Sequence, residues 1–217
     1  MIDSIHDFIV QRGITRLVHF TPFENLLGIY NERCIMPVEM IEEQARVKND
    51  DFLLDYIRFN DESRLDGRRD CINLSIQRIN NFLFRRFKER FERSCDLWCI
   101  LEINPAVAEK TDVVFTIANA ASSYVKRYGT KSGIEGLKAM FADSVNTGKR
   151  TESRAGVPEN CPTSRQAEVL YPGKISTDDI HSIIVQNEEY GDRVNAALEM
   201  EKVNPLPKIR VSPDDFS

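Results

Sequence analysis

The chain of 217 residues is 41% hydrophobic and 29% charged, with 10 glycines, 9 prolines and a formal net charge of −5. This balance excludes the disordered, collagen-like and membrane-spanning classes, and the length predicts one domain over residues 1–217. The start of the chain has no secretory signal pattern and no run of 18 apolar residues occurs, so we expect a protein without membrane contact.

The charge is uneven along the chain. Residues 175–217 contain nine acids and four bases, which accounts for the whole net charge of −5. The first 174 residues are therefore neutral overall, and they leave room for a local basic groove.

The cysteines and histidines indicate the compartment. The five cysteines form no CxxC pair and there are three histidines, so neither a zinc site nor a disulfide framework fits, and we expect no metal. Cys71, Cys95 and Cys99 lie in or beside apolar runs, where free cysteine usually serves as a small hydrophobic residue. This usage predicts a reducing compartment, the cytoplasm.

The first predicted unit is a strand, a turn and a helix. Residues 17–20 form a short apolar run, and residues 21–24 read Thr-Pro-Phe-Glu, a capping box with proline at the first helical position. We expect the helix to continue over 25–30. His19 and Thr21 then lie on the same side of the strand end. A structural and a ligand-binding role for His19 both remain open on spacing alone.

The middle of the chain mixes loops, strands and helices. Residues 38–69 are mostly charged and lack a clear period, which predicts a long surface loop with one helical piece. Apolar alternation predicts strands over 71–76 and 97–103, with a helix over 81–93 between them. A strand over 112–116 and helices over 118–128 and 134–141 follow.

The last third begins with a long polar segment. Residues 144–165 are rich in Gly, Pro, Ser, Thr and Asn, which predicts a structureless loop of a length that is usually functional. Strands over 166–172 and 180–186 and an acidic helix over 188–203 follow. Regular βαβ alternation and a glycine-rich phosphate turn are both missing, so the fold class is α+β.

Two further sets of candidate functional residues can each be interpreted in more than one way. If the strand begins at Gln166, then Gln166 and Glu168 face the same way, either to solvent or into a cleft. Arg64 lies among mixed charges that are typical of a solvated surface.

Four segments of the chain stand out together by their order and the gaps between them. They are 17–26 (LVHFTPFENL), 60–67 (NDESRLDG), 73–76 (NLSI) and 166–170 (QAEVL). Together they resemble the DarT family of DNA ADP-ribosyltransferase toxins, in the branch whose first motif reads His-Phe-Thr. The Gln-x-Glu that precedes the strand near residue 168 is also similar to the catalytic turn of wider ADP-ribosyltransferases.

The resemblance implies an ADP-ribosyltransferase-like fold, with central short-stranded sheets flanked by helices, and an enzyme that uses NAD+ as co-substrate. It implies transfer of ADP-ribose to a base in single-stranded DNA with release of nicotinamide, and the branch points to guanine rather than thymine. The implied catalytic residues are Glu168, which would hold the ribose 2′-hydroxyl, and Arg64. The implied NAD+-binding residues are His19, Phe20, Thr21, Asn25, Arg64 and Gln166.

The chemistry agrees with these residue types. Cleavage of the bond to nicotinamide develops positive charge on the ribose, so a carboxylate beside the sugar stabilises the transition state more than the ground state. The position of the arginine is open, because Arg58, Arg68 and Arg69 compete with Arg64. We favour Arg64, which lies between Asn-Asp and Asp-Gly as in the family pattern.

The acceptor base must be unpaired, because its reactive atom is buried in a duplex. The predicted loop over 144–165 has a balance of +2 and directly precedes Gln166, so we expect it to bind DNA through Lys149, Arg150, Arg154 and Arg165. A second basic stretch over 85–91 interleaves aromatic residues, as base-stacking surfaces do. Alternatively it is an amphipathic helix that turns its phenylalanines to the core and only its arginines to DNA.

The resemblance also implies a partner protein, because toxicity in the family is reversed by a separate macrodomain antitoxin with ADP-ribosyl hydrolase activity. Two other functions stay open on the residues. One is an ADP-ribosyltransferase that acts on protein or RNA, since a fold does not determine a substrate. The other is a non-enzymatic module that binds single-stranded nucleic acid.

Overall fold

The structure is a computed structural model that describes residues 3–48, 65–91 and 96–217. These ranges contain seven α-helices: α1 Ile5–Arg12, α2 Glu24–Asn31, α3 Val38–Lys48, α4 Asn81–Phe91, α5 Ser123–Tyr128, α6 Gly133–Met140 and α7 Glu188–Met200. They also contain twelve strands: β1 Leu17–Pro22, β2 Cys34–Ile35, β3 Cys71–Ile76, β4 Trp98–Ile103, β5 Val114–Thr116, β6 Thr130–Ser132, β7 Ser144–Asn146, β8 Thr151–Ser153, β9 Glu168–Pro172, β10 Ile175–Ser176, β11 Ile180–Val185 and β12 Lys208–Val211.

One eight-stranded sheet organises the fold. Its strand order is β12-β11-β4-β1-β3-β9-β5-β6, and its neighbours are antiparallel except for the parallel pair β11 and β12. Two-stranded sheets join β10 to β2 and β7 to β8. Short, mostly antiparallel strands flanked by helices confirm the α+β class and the predicted short-stranded architecture.

The centre of the large sheet divides into two halves. β1 pairs with β4 along its whole length, but its ladder with β3 consists of Leu17 opposite Ile76 and Val18 opposite Ser75. Beyond these two pairs, β1 continues with β4 while β3 continues with β9. A cleft therefore opens between β1 and β3, and the end of β1 lies along one side of it.

Helices cover both faces of the sheet. Ile9 of α1, Leu26 of α2, Leu137 of α6 and Leu198 of α7 pack in the larger core cluster, which includes Leu17 of β1. The opposite face has a smaller, aromatic cluster built from Val18, Phe84, Trp98 and Phe216, with Phe20 packed against it. By strand alternation, His19 and Thr21 share the face of Leu17, which is the face that α2 covers.

The predicted capping box is wrong. β1 extends through Pro22, and α2 begins at Glu24 after Phe23, whose backbone is already helical and which makes no side-chain cap. Thr21 pairs with Cys99 in the sheet, and its Oγ1 accepts a hydrogen bond from Asn25 Nδ2 at 2.9 Å. Pairing with β4 therefore prevails over the local capping sequence.

The segment over 144–165 is not structureless. Residues 144–153 form the hairpin of β7 and β8, in which Val145 faces Glu152. Gly148 occupies its turn at φ +84°, where a Cβ would lie 2.5 Å from Tyr124 Cβ, so glycine suits both the conformation and the space. Sequence patterning missed this hairpin because its strands are three residues long and mostly exposed.

The other predicted helices and strands differ from the observed ones mainly in the residues at which they begin and end. The helix predicted over 118–128 begins only at Ser123, and β6 directly follows it. The helical piece predicted within 38–69 is α3. The helix α1 and the short strands β2, β10 and β12 have no counterpart among the predictions, because two to eight residues give too weak a periodic signal.

Two of the three cysteines predicted to be buried can be placed. Cys71 and Cys99 are free and fully buried, which confirms their interpretation as small core residues, and Cys95 lies outside the described residues. Across the described helices, none has the length and apolar character needed to cross a bilayer.

A charged network ties the C-terminus to the sheet. Asp215 accepts hydrogen bonds from Arg16 and Arg210, and Arg16 also lies 3.4 Å from Glu102. Burial by itself raises the pKa of Asp215, but hydrogen bonds from Arg16 and Ser212 outweigh it, so the net pKa is lowered.

We expect Asp215→Asn to lower the free energy of unfolding at pH 7 by about 1.5–3 kcal/mol, the range for hydrogen bonds to charged groups. A lowered folded-state pKa stabilises the protein above the unfolded value of about 3.9 and ceases to do so as pH falls through the folded value. Urea denaturation across pH 3–7 should therefore show the two proteins converging in acid. The neighbouring exposed Asp214→Asn is the control, and an equal loss from both variants would contradict the network.

Candidate active site

The cleft between β1 and β3 has a volume of about 1510 Å³. It collects side chains from β1, α2, β3, β9, the β7–β8 hairpin and the segment before α5. Predicted site residues among those that line it are His19, Phe20, Thr21, Asn25, Lys149, Arg150, Gln166 and Glu168.

His19, Thr21 and Asn25 form one wall of the cleft. His19 Nδ1 lies 3.0 Å from the backbone oxygen of Asn73, which joins the two strands at the point where they separate. Thr21 is 1% exposed, and Asn25, the second residue of α2, donates to its hydroxyl. These contacts orient an imidazole, a hydroxyl and an amide at the end of β1.

Glu168 lies in the opposite half of the sheet, at the first residue of β9. Its side chain is 4% exposed, and its Oε2 accepts a hydrogen bond from the Ala120 N–H at 2.8 Å. Its backbone N–H lies 3.2 Å from Thr116 Oγ1, and Thr116 faces it across the β5–β9 ladder. The carboxylate is therefore held by backbone and strand pairing at the edge of the cleft.

Gln166 and Phe20 also line the cleft, but their local surroundings differ from those predicted. Gln166 lies in a turn before β9, where its N–H donates to Ser164 Oγ, so it does not share a strand face with Glu168. Phe20 packs against Phe84 and Trp98, at centroid distances of 5.4 and 6.1 Å, and belongs mainly to the aromatic core.

Two asparagines at the cleft were missed from sequence. Asn73 Oδ1 and Asn80 Nδ2 are buried and have no hydrogen-bond partner among the described residues, although buried polar atoms are nearly always bonded. Asn73 interrupts an apolar strand, and this polar residue is the sequence signal that could have marked it. These two atoms are available to a polar ligand.

The competing arginines fall into two groups. Arg58 and Arg64 lie outside the described residues. Arg68 bonds Asp70 through two nitrogens at 2.9 Å each, which lowers the pKa of that carboxyl, and Arg69 bonds Glu42 at 2.5 Å. Neither Arg68 nor Arg69 is among the residues that line the cleft.

The four predicted DNA-binding cations have different surroundings. Lys149 and Arg150 are exposed and line the cleft, and Arg165 lines a neighbouring pocket. Arg154 instead bonds the backbone oxygens of Pro158, Glu159 and Cys161 and stacks on Phe141 at 5.1 Å. Its guanidinium closes the loop after β8 rather than facing the cleft, and burial lowers its pKa.

The second basic stretch forms the amphipathic helix α4. Phe84 is buried and Phe87 and Phe91 pack beside it, while Arg86 and Arg90 line the cleft. This confirms the alternative in which the phenylalanines turn to the core. For metals, residues 3–48, 65–91 and 96–217 hold no group of three or more His, Cys, Asp or Glu side chains suited to bind an ion.

One protein family matches nearly the whole chain. The family model described as "ssDNA thymidine ADP-ribosyltransferase, DarT" matches residues 18–216. No match is found among curated proteins.

Solved structures show the same fold. The Thermus sp. 2.9 DarT complex with NAD+ has a TM-score of 0.62 at 16% identity, and covers 94% of this chain and 98% of its own. The complex of the same protein with ADP-ribosylated ssDNA has a TM-score of 0.59 at 15% identity, and the match covers 94% of this chain and 97% of that protein. Thermosipho africanus DarTG in complex with ADP-ribose has a TM-score of 0.56 at 17% identity. The match covers 93% of this chain but only 51% of the DarTG chain. Because the family model matches nearly the whole chain, this protein belongs to the DarT family of single-stranded DNA ADP-ribosyltransferases.

Proposed function

We propose that this protein transfers ADP-ribose from NAD+ to a base in single-stranded DNA and releases nicotinamide. The observation that carries the proposal is the buried carboxylate of Glu168 at the cleft edge, across the split sheet from His19, Thr21 and Asn25. Membership of the family and the likeness to DarT structures titled with NAD+ and with ADP-ribosylated ssDNA support it.

In this reaction the bond between ribose C1′ and nicotinamide breaks, and nicotinamide leaves as a neutral molecule with the bonding electron pair. The sugar becomes oxocarbenium-like, an atom of the acceptor base bonds to C1′, and the base gives up a proton. Glu168 would stabilise the positive sugar by its charge and by a hydrogen bond from the 2′-hydroxyl. The Ala120 N–H keeps the carboxylate oriented for this role.

The opposite wall would bind the substrate. The imidazole of His19 and the hydroxyl of Thr21 would hold the ribose and the nicotinamide amide, as the family resemblance implies. Asn73 Oδ1 and Asn80 Nδ2, which have no partner in the described part of the chain, would offer the substrate further hydrogen bonds in the same cleft. Arg64 remains our proposed catalytic arginine, on the family pattern.

We propose guanine as the preferred acceptor, on the His-Phe-Thr motif at residues 19–21. The matching family model is described for thymidine, so thymine is the direct competitor. Lys149 and Arg150, exposed on the cleft rim, would contact the DNA backbone. We further propose a cytoplasmic location and a separate macrodomain antitoxin that removes the ADP-ribose.

The test incubates the protein with NAD+ and four single-stranded oligonucleotides, each carrying a different base in an otherwise identical sequence, and reads products by mass spectrometry. We expect one added ADP-ribose on the guanine strand and free nicotinamide in equal amount. Addition to the thymine strand alone would overturn the guanine preference. Consumption of NAD+ without a modified strand would indicate that the acceptor is protein or RNA. If no NAD+ is consumed, the proposed enzymatic activity is wrong.

A further inference from the structure

A second pocket adjoins the cleft and is lined by arginines. Its volume is about 470 Å³, and Arg78, Arg150 and Arg165 all line it. Arg150 and Glu152 also line the cleft, so the two cavities share a wall. A chain that leaves the cleft over the β7–β8 hairpin would enter this pocket.

Arg78 is the unusual member of this group. It follows Gln77, whose φ of +65° turns the backbone between β3 and α4, and its own N–H is held by the Ile76 oxygen at 2.8 Å. Its Nε is buried without a hydrogen-bond partner, and within the part of the chain that the structure describes its guanidinium forms no ion pair. Burial of a guanidinium nitrogen without an acceptor is costly.

The pocket has too little negative charge to balance its three arginines. Glu152 is the one carboxylate among the residues that line it, and it lies 3.0 Å from Arg150. No carboxylate of the described residues pairs with Arg78 or Arg165. Burial lowers the pKa of the Arg78 guanidinium, and the positive charge of Arg165 adds to this lowering, although Cys161 opposes it. Such a pair favours a bound anion.

We propose that Arg78 and Arg165, with Arg150 at the shared wall, bind a backbone phosphate of single-stranded DNA next to the nucleotide whose base enters the cleft. This inference rests on the proposed function. A guanidinium pair matches the oxygens of a phosphodiester, and arginine is the residue that binds such groups through two parallel hydrogen bonds.

The location favours DNA over the pyrophosphate of NAD+. His19, Thr21, Asn25 and Glu168 line the cleft but not the second pocket, which shares only Arg150 and Glu152 with the cleft. A phosphate here would fix the direction in which the strand leaves the site. It would do so without reading a base, because phosphate contacts position a nucleic acid and carry no sequence information directly.

The test measures binding of a fluorescent single-stranded oligonucleotide by anisotropy over a range of salt concentrations. The variants are Arg78→Gln, Arg78→Lys, Arg165→Gln and the control Lys208→Gln, which removes one positive charge at the far edge of the sheet. We expect Arg78→Gln and Arg165→Gln to weaken binding about tenfold at low salt. Each should also reduce the slope of log affinity against log salt by about 0.7, the value for one phosphate on a single strand.

The outcomes separate this inference from the proposed function. If the wild-type protein neither binds nor modifies single-stranded DNA, the proposed function fails, and this inference with it. If the wild type binds but Arg78→Gln and Arg165→Gln match Lys208→Gln, only the phosphate site fails. If these variants raise the KM for NAD+ and leave the DNA affinity unchanged, the inference is wrong and the second pocket binds the pyrophosphate of NAD+. Arg165→Gln alters an exposed side chain, so it remains informative if Arg78→Gln does not fold.

Discussion

Replacing Glu168 with glutamine is expected to lower ADP-ribose transfer about 10²–10³-fold, the usual effect of losing one transition-state charge contact. The glutamine oxygen can still accept the Ala120 N–H, so the variant keeps its local structure and loses only the negative charge. Glu168→Asp should reduce transfer nearly as much, because the shorter side chain withdraws the carboxylate from the ribose.

The measurement is the initial rate of ADP-ribose addition to the preferred oligonucleotide, followed by mass spectrometry. Glu189→Gln, on an exposed position of α7, removes the same charge away from the cleft and is the matched control. Thermal unfolding of each variant shows whether the fold is intact. Transfer by Glu168→Gln within threefold of the control would remove Glu168 from the catalytic role.

Replacing Trp98 with alanine is expected to lower the free energy of unfolding by about 3–5 kcal/mol. Trp98 is 0% exposed, and its ring packs edge-to-face on Phe84 at 5.5 Å and against Phe91 at 6.2 Å. Alanine would leave a large cavity under α4. Because Trp98 is opposite Pro22 in the sheet, loosened packing there would also disturb the end of β1 that carries Thr21.

Urea denaturation gives the free energies. Trp98→Phe should cost much less, because an aromatic ring remains and the indole Nε1 has no hydrogen-bond partner to lose among residues 3–48, 65–91 and 96–217. Met200→Ala, at a position 83% exposed, controls for removal of apolar surface outside the core. A Trp98→Ala variant within 1 kcal/mol of the wild type would mean that the aromatic cluster does not stabilise the sheet.

Much of the site can be predicted from short motifs taken together. The family resemblance of four segments singles out His19, Thr21, Asn25 and Glu168, and all four line one cleft in the structure. Their catalytic and binding roles stay predictions for the experiments above. Arg58 and Arg64 lie outside the described residues.

Local sequence patterns are enough to predict the longest buried strands of the sheet. Runs such as 71–76 and 97–103 are long and apolar enough to form buried strands whichever neighbours they meet, and β3 and β4 lie there. The resemblance to the family can also be recognised from the sequence, because the order of the motifs does not depend on contacts between distant segments.

The contacts of the polar side chains depend on which distant segments pack together. Thr21 joins a strand instead of capping a helix, and Arg154 closes its own loop. The Nε of Arg78 is buried near Arg165 with no acceptor among the described residues. The two-pair ladder between β1 and β3, which opens the cleft, likewise has no local sequence signal. The physical reason is that a polar group has several partners of similar energy within reach, and packing of distant elements selects among them.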